Sequence, residues 1–238
     1  GNYEQSQKIL KLSYTLITSL GTVMTPRIAS VLSNNNKEKV EEYLAKSINF
    51  VFFLGIPLTL GVMSVAKTLV PWFLGEEFSL SVSILMTGSL LIIAKGFTDV
   101  AGVQYLIPSR NQAIFTKSVV TGAILNVVLN FILIPICGAI GAIIASVIAE
   151  VAIAIVQYYY VKKQINIQIF TKAYLKYIVS GVLMFLTVYV MGIFMEPTII
   201  TTILQICVGG IIYIGSLLIM KDKFLCERLD KILRTLKI

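Results

Sequence analysis

The sequence predicts an all-α polytopic membrane protein of about seven transmembrane helices, and three observations predict it. The 238 residues are 57% hydrophobic and only 13% charged, with a mean hydropathy of +0.87, which is too apolar for a soluble globular domain. Apolar runs of about 20 residues, the length that crosses about 30 Å of hydrocarbon, recur seven times, near 9–32, 44–70, 82–106, 113–135, 139–161, 174–195 and 198–220. Sixteen of the 20 Lys and Arg fall in alternate connections: Arg27, Lys37, Lys39 and Lys46; then Arg110 and Lys117; then Lys162, Lys163, Lys172 and Lys176; then the tail with Lys221, Lys223, Arg228, Lys231, Arg234 and Lys237. The opposite connections hold Glu76, Glu77, Glu196 and, at their border, only Lys67. The positive-inside rule therefore makes the basic loops and the C-terminus cytoplasmic, and the alternation checks the span count.

The same distribution explains the net charge of +8 without a nucleic-acid partner. Three cysteines, one inside a span, make no disulfide framework, and the absence of His removes the commonest metal ligand and general base, so no metal site is expected. The chain begins at Gly1 with no initiator Met, basic n-region or cleavage site. It is expected to start within a longer protein.

The first span carries a polar stripe at Lys8, Lys11, Thr15, Thr18, Thr22 and Thr25, spaced 3 and 4 apart and so on one helix face. Either the hydroxyls bond back to their own helix and glue it to neighbours, or the stripe lines a hydrated path with the lysines at its outer mouth. Residues 33–46 read as a short capped surface helix, with Asn35 and Glu38 as a capping box. The second span is expected to kink at Pro57, and Lys67, Trp72 and Phe73 place its outer end at the interface.

The third span holds Lys95 and Asp99, four apart near its centre. One such charge costs about 2.5–3.5 kcal/mol there on insertion scales. The two either close on each other as an ion pair or form a charged face on a translocation pathway, and Gly88 and Gly102 on that face admit a neighbouring backbone. The fourth span places Asn126 and Asn130 one turn apart beside Gly122, where interhelical hydrogen bonding is the simplest role. The corner PICGAIG turns into the fifth span, whose Ser146, Glu150 and Gln157 share one side. Glu150 either pairs with a cation such as Lys95 or is kept neutral by burial. The sixth and seventh spans have no central charge and read as a peripheral hairpin. The tail from Lys221 puts Leu225, Leu229, Ile232 and Leu236 on one face among basic residues, an interfacial amphipathic helix. No phosphate loop, nucleophile elbow or metal-ligand cluster occurs, so no enzyme is expected.

The ordered set GNY (1–3), TPRIAS (25–30), GIPLTLGV (55–62), WFLGEEF (72–78) and LNVVLNFILIPICGAIGAIIASVIAE (125–150) resembles the C-terminal half of Wzx-type polysaccharide flippases. That superfamily also holds multidrug and toxin extrusion transporters and lipid II flippases. The resemblance covers 1–160 as a transporter lobe without its first helix. It treats 161–220 as two additional C-terminal helices and leaves 221–238 as a cytoplasmic tail. It implies two six-helix lobes around a central cavity that opens alternately to either side of a bacterial cytoplasmic membrane. The implied cargo is an oligosaccharide on undecaprenyl pyrophosphate, and the implied partners are the bilayer, the protein's own N-terminal half and glycan polymerase machinery.

On that mapping the threonine stripe, Lys95, Asn126, Asn130 and Gln157 line the path, and Lys8 and Lys11 meet the pyrophosphate near the outer mouth. Asp99 and Glu150 either temper Lys95 or bind a coupling Na+ or H+; no other cofactor is expected. Two rivals stay open. A multidrug exporter of the same superfamily would favour acidic groups over cavity lysines. A membrane glycan polymerase or ligase would carry a large external loop with arginines, and the external connections here are short and contain none.

Overall fold

The structure is a computed structural model that describes residues 1–166, 174–222 and 224–226. Its helices are α1 (Asn2–Ser33), α2 (Lys37–Phe73), α3 (Ser79–Gly88), α4 (Leu90–Thr98), α5 (Gln112–Gln164), α6 (Leu175–Phe194) and α7 (Ile199–Ile219). A π-helical segment, Asp99–Leu106, continues α4. No strand occurs among the described residues.

Five helices are long and apolar enough to cross a membrane, and the bent unit Glu76–Gly88 with Leu90–Leu106 makes a sixth. The seventh crossing comes from α5, whose 53 residues fold back on themselves at Gly138 (φ 56°, ψ −132°). A residue without Cβ takes that conformation at little cost. The arms 112–137 and 139–164 close tightly: a Cβ on Gly122 would enter the Ile153 side chain, and one on Gly141 would strike the Leu133 carbonyl. The seven expected crossings are therefore all present, and the corner lies where the sequence placed it.

Two expectations fail locally. Residues 37–46 are not a separate surface helix but the first turns of α2, because Val40 and Leu44 begin the buried stripe that Ile48 and Val51 continue. The cap is Asn36, whose side chain accepts from the Lys39 N–H at 3.1 Å, while Asn35 sits at φ 52° in the preceding turn. α2 stays helical through Pro57 to Phe73. A break comes in the third crossing, where the axis bends by 42° between Gly88 and Leu90. A Gly-Ser pair is a common kink site, and here Ser89 donates its hydroxyl back to the Met86 carbonyl at 2.8 Å.

The last hairpin lies at the periphery, as expected, but it is firmly tied in. α6 and α7 pack on α2 and on each other, pinned by a fully buried Gln205. Its amide donates to the Val188 carbonyl at 3.0 Å, and its oxygen accepts from Thr68 at 2.5 Å. Trp72 donates to Thr202 at 2.8 Å. At the opposite end of the bundle Tyr177 donates to Asp222, and Leu225 is buried against protein rather than facing lipid. The remainder of the expected amphipathic tail, with Leu229, Ile232 and Leu236, lies outside the described residues, as does Lys172.

Replacing Gln205 with Leu removes both of its bonds and is expected to lower the free energy of unfolding, titrated with SDS in mild detergent, by about 1 kcal/mol. Leu204→Val, on the exposed side of the same turn, is expected to leave it within experimental error. Equal values for the two would mean that apolar packing alone holds the hairpin.

Candidate functional site

α1 and α5 both pack on α3, α4 and the π segment, whereas direct packing between α1 and α5 is slight. The third crossing is thus the floor of a groove with α1 and α5 as its banks. Lys95 rises from that floor and pairs with Glu150 of the second α5 arm, Nζ to Oε2 at 2.5 Å. The Glu150 side chain is 10% exposed and that of Lys95 37%, so the pair is closed on the α5 side and open toward the groove. Thr98 donates to the other carboxylate oxygen, Oε1, at 2.7 Å. Of the alternatives the sequence left open, Glu150 takes the one in which it pairs with Lys95; Lys95 does not close on Asp99.

Asp99 has a different partner because the helix changes its winding there. In an α-helix, residues five apart point about 140° apart; in a π-helix they approach the same face. The π segment begins at Asp99, and Gln104 donates from Nε2 to Asp99 Oδ2 at 2.8 Å. Gln104 is fully buried, and its Oε1 accepts from Ser47 of α2 at 2.7 Å. A Cβ on Gly21 of α1 would stand 2.7 Å from Asp99 Oδ2. That glycine is what lets α1 lie over the carboxylate.

A cavity of about 250 Å³ collects Thr18, Lys95, Thr98, Asp99, Glu150 and Gln157. A second, of about 370 Å³, collects Gln7, Tyr14, Lys95, Asn126, Ser146 and Glu150. The ion pair lines both and stands at their partition. Asn126 reaches Ser146 across the hairpin at 3.4 Å, and Asn130 donates to Asn126 within its own arm at 2.9 Å. The remaining stripe residues lie outside both cavities. Lys8 pairs with Glu4 at 3.2 Å, Lys11, Thr15 and Thr22 are exposed on α1, and Thr25 is half-buried. The threonine hydroxyls bond back to α1 itself, Thr15 to Lys11 at 2.7 Å and Thr22 to Ser19 at 2.7 Å. Thr15 and Thr22 face the open side, whereas the Thr25 hydroxyl is buried without a partner among the described residues.

Sequence reasoning missed Thr98, Ser47, Gln104 and Ser118. Thr98 follows Lys95 by one turn and was visible in principle. Gln104 was not, since a period of 3.6 sets it on a different face from Asp99.

The model of the lipid II flippase MurJ family matches residues 2–209. The chain belongs to the lipid II flippase MurJ family. That match runs past residue 160 through α6 and into α7, so the last hairpin lies largely within the MurJ pattern. The chain is 25% identical over 246 residues to the lipid II flippase MurJ of Bacillus subtilis, covering 96% of this chain and 45% of that protein. It is 25% identical over 154 residues to a putative O-antigen transporter of Shigella dysenteriae, covering 65% and 38%. It is 23% identical over 173 residues to the probable low-salt glycan biosynthesis flippase Agl15 of Haloferax volcanii, covering 71% and 35%. A solved lipid II flippase MurJ in an inward closed conformation superposes with a TM-score of 0.78 at 17% identity, over 94% of this chain and 47% of that one. The chain thus spans less than half the length of these relatives, which are transporters rather than enzymes.

Lys95→Ala leaves Glu150 buried without its cation. It is expected to lower the unfolding free energy by roughly 2 kcal/mol, less than the ~3–5 kcal/mol of a fully enclosed pair because Lys95 opens to the groove. Adding Glu150→Gln is expected to restore more than half of that loss. A double-mutant cycle with additive effects would mean that the two groups are not coupled.

Proposed function

We propose that the chain forms the C-terminal wall of a flippase for a lipid-linked oligosaccharide. The full protein moves an undecaprenyl-pyrophosphate-linked glycan across the bacterial cytoplasmic membrane by alternating access, for surface polysaccharide biosynthesis. The observation that carries this reading is the groove itself: a fixed cation at mid-depth in its floor, with amides and hydroxyls around it, in a chain of this family. A polar, anionic headgroup needs such a lining while its lipid tail stays in the bilayer, because unpaired charge in hydrocarbon costs several kcal/mol.

On this reading Glu150 holds Lys95 while the path is empty, and an entering pyrophosphate competes for the ammonium. Only a cargo that binds one form better than the other shifts the equilibrium between them. The polar residues lining the two cavities form the path, with Lys8, Lys11 and the rest of the threonine stripe along its α1 bank. The N-terminal half supplies the opposite wall across α1 and α5, and glycan polymerase machinery takes the product. The basic connections and the C-terminus lie on the cytoplasmic side.

The test is complementation in the full-length protein, read as surface polysaccharide at matched protein level. Lys95→Ala and Glu150→Gln are each expected to reduce it by roughly tenfold, the effect of about 1.4 kcal/mol on a rate, and Thr18→Val by less. Unchanged polysaccharide in both variants would remove the ion pair from the path. Altered drug sensitivity with normal glycan would favour the multidrug exporter.

A further inference from the structure

The larger of the two cavities, about 370 Å³, holds hydrogen-bonding groups that the protein itself does not use. Tyr3, Gln7 and Tyr14 of α1 line it and, spaced 4 and 7 apart, share one face of the helix. Both tyrosine rings pack against the core. None of the three side chains has a hydrogen-bond partner among the described residues. On the facing wall Asn126 gives one amide proton to Ser146 and accepts from Asn130. It keeps one N–H and one lone pair for a ligand. Gln7 and Tyr14 precede Lys8 and Thr15 by one residue, about 100° around the helix, so they look into the groove while those two stand on its open side.

The charges decide what such a cavity suits. Among the described residues its only charged lining groups are Lys95 and Glu150, which neutralise each other. The smaller cavity adds the Asp99 carboxylate and so repels an anion. A hydrocarbon chain would leave the phenols and amides of the larger one unpaired. A pyranose ring meets them. Its hydroxyls both donate and accept, as amides and phenols require, and its ring C–H bonds, positive at hydrogen, lie well against the negative face of an aromatic ring. Apolar Leu91, Val119, Ala123 and Ile153 complete the lining, the mixture of apolar surface and a few placed polar groups that small-molecule sites show. The volume is near the lower end of the roughly 300–1,000 Å³ of such sites, room for one ring and not for a chain of them.

We propose that this cavity is the subsite for the sugar bonded directly to the diphosphate, one pyranose ring stacked on Tyr14 and hydrogen-bonded by Gln7, Asn126 and the Tyr3 hydroxyl. Lys95, in its lining, marks the end at which the diphosphate lies. Tyr14 and Gln7 thereby select the sugar. This subsite presupposes the flippase reading of the groove and adds which part of the headgroup the larger cavity holds.

The experiment measures, by native mass spectrometry of the full-length protein in detergent, the affinity for two probes: undecaprenyl pyrophosphate, and the same lipid carrying one N-acetylglucosamine. The ratio of the two dissociation constants reads the sugar alone. The sugar-bearing probe is expected to bind about tenfold more tightly. Tyr14→Leu and Gln7→Leu are each expected to cut that ratio at least threefold, and Tyr14→Phe to keep most of it because the ring remains. Leu12→Val, on the exposed side of α1, is expected to leave it unchanged, and Lys95→Ala to weaken both probes while preserving the ratio. The proposal is overturned if the unaltered protein binds the two probes equally, or if the ratio survives in Gln7→Leu and in Tyr14→Leu where that variant folds. Unchanged affinity for the bare lipid in Lys95→Ala overturns the diphosphate position instead, so the two failures are read separately.

Discussion

Charge placed at mid-depth in a membrane must be neutralised by protein, and the packing around the third crossing follows from that requirement. Lys95 and Glu150 each carry a penalty of a few kcal/mol alone; bonded together with Thr98, they share it. That bond ties the third crossing to the second arm of α5. It needs the hairpin folded at Gly138, the arms drawn together at Gly122, and the second arm turned so that Ser146, Glu150 and Gln157 face inward. An α5 that ran straight on could not supply the carboxylate.

The third crossing meets the requirement by giving up regularity. It bends at Gly88–Ser89, rises as α4 through Lys95, and rewinds as a π-helix from Asp99. Each irregularity frees or redirects a polar group: Ser89 satisfies the carbonyl of Met86, and the π winding delivers Gln104 to Asp99. Such departures are tolerated at membrane depth where they face protein or a cavity rather than lipid, and these face the groove between α1 and α5. The last hairpin sits on the far side of α2, held by Gln205 and Thr202. The groove is therefore bordered without being blocked.

Much of this was legible in the chain. The seven crossings, the sharp corner between Pro135 and Gly141, the shared face of Lys95 and Asp99 and the shared side of Ser146, Glu150 and Gln157 all follow from hydropathy and a 3.6-residue period. The errors were equally local in origin. Residues 37–46 looked like a surface helix because their charges dominate, although Val40 and Leu44 already face the core. The bend of the third crossing went unforeseen, because the Gly88–Ser89 pair reads as ordinary helix until Ser89 is seen to bond back to the Met86 carbonyl.

Sequence by itself determined which segments cross, where the basic connections alternate, and which polar residues lie at mid-depth, because these depend on the composition and spacing of contiguous residues. Only the tertiary structure decided whom those residues meet. Lys95 pairs with a carboxylate 55 positions away rather than the one four away, and Gln157 turns its oxygen to a cavity because Ser118 has already spent its proton on Phe115. A partner is chosen by the distance between helices and by the order in which donors are used up, and neither is written in the spacing along one helix.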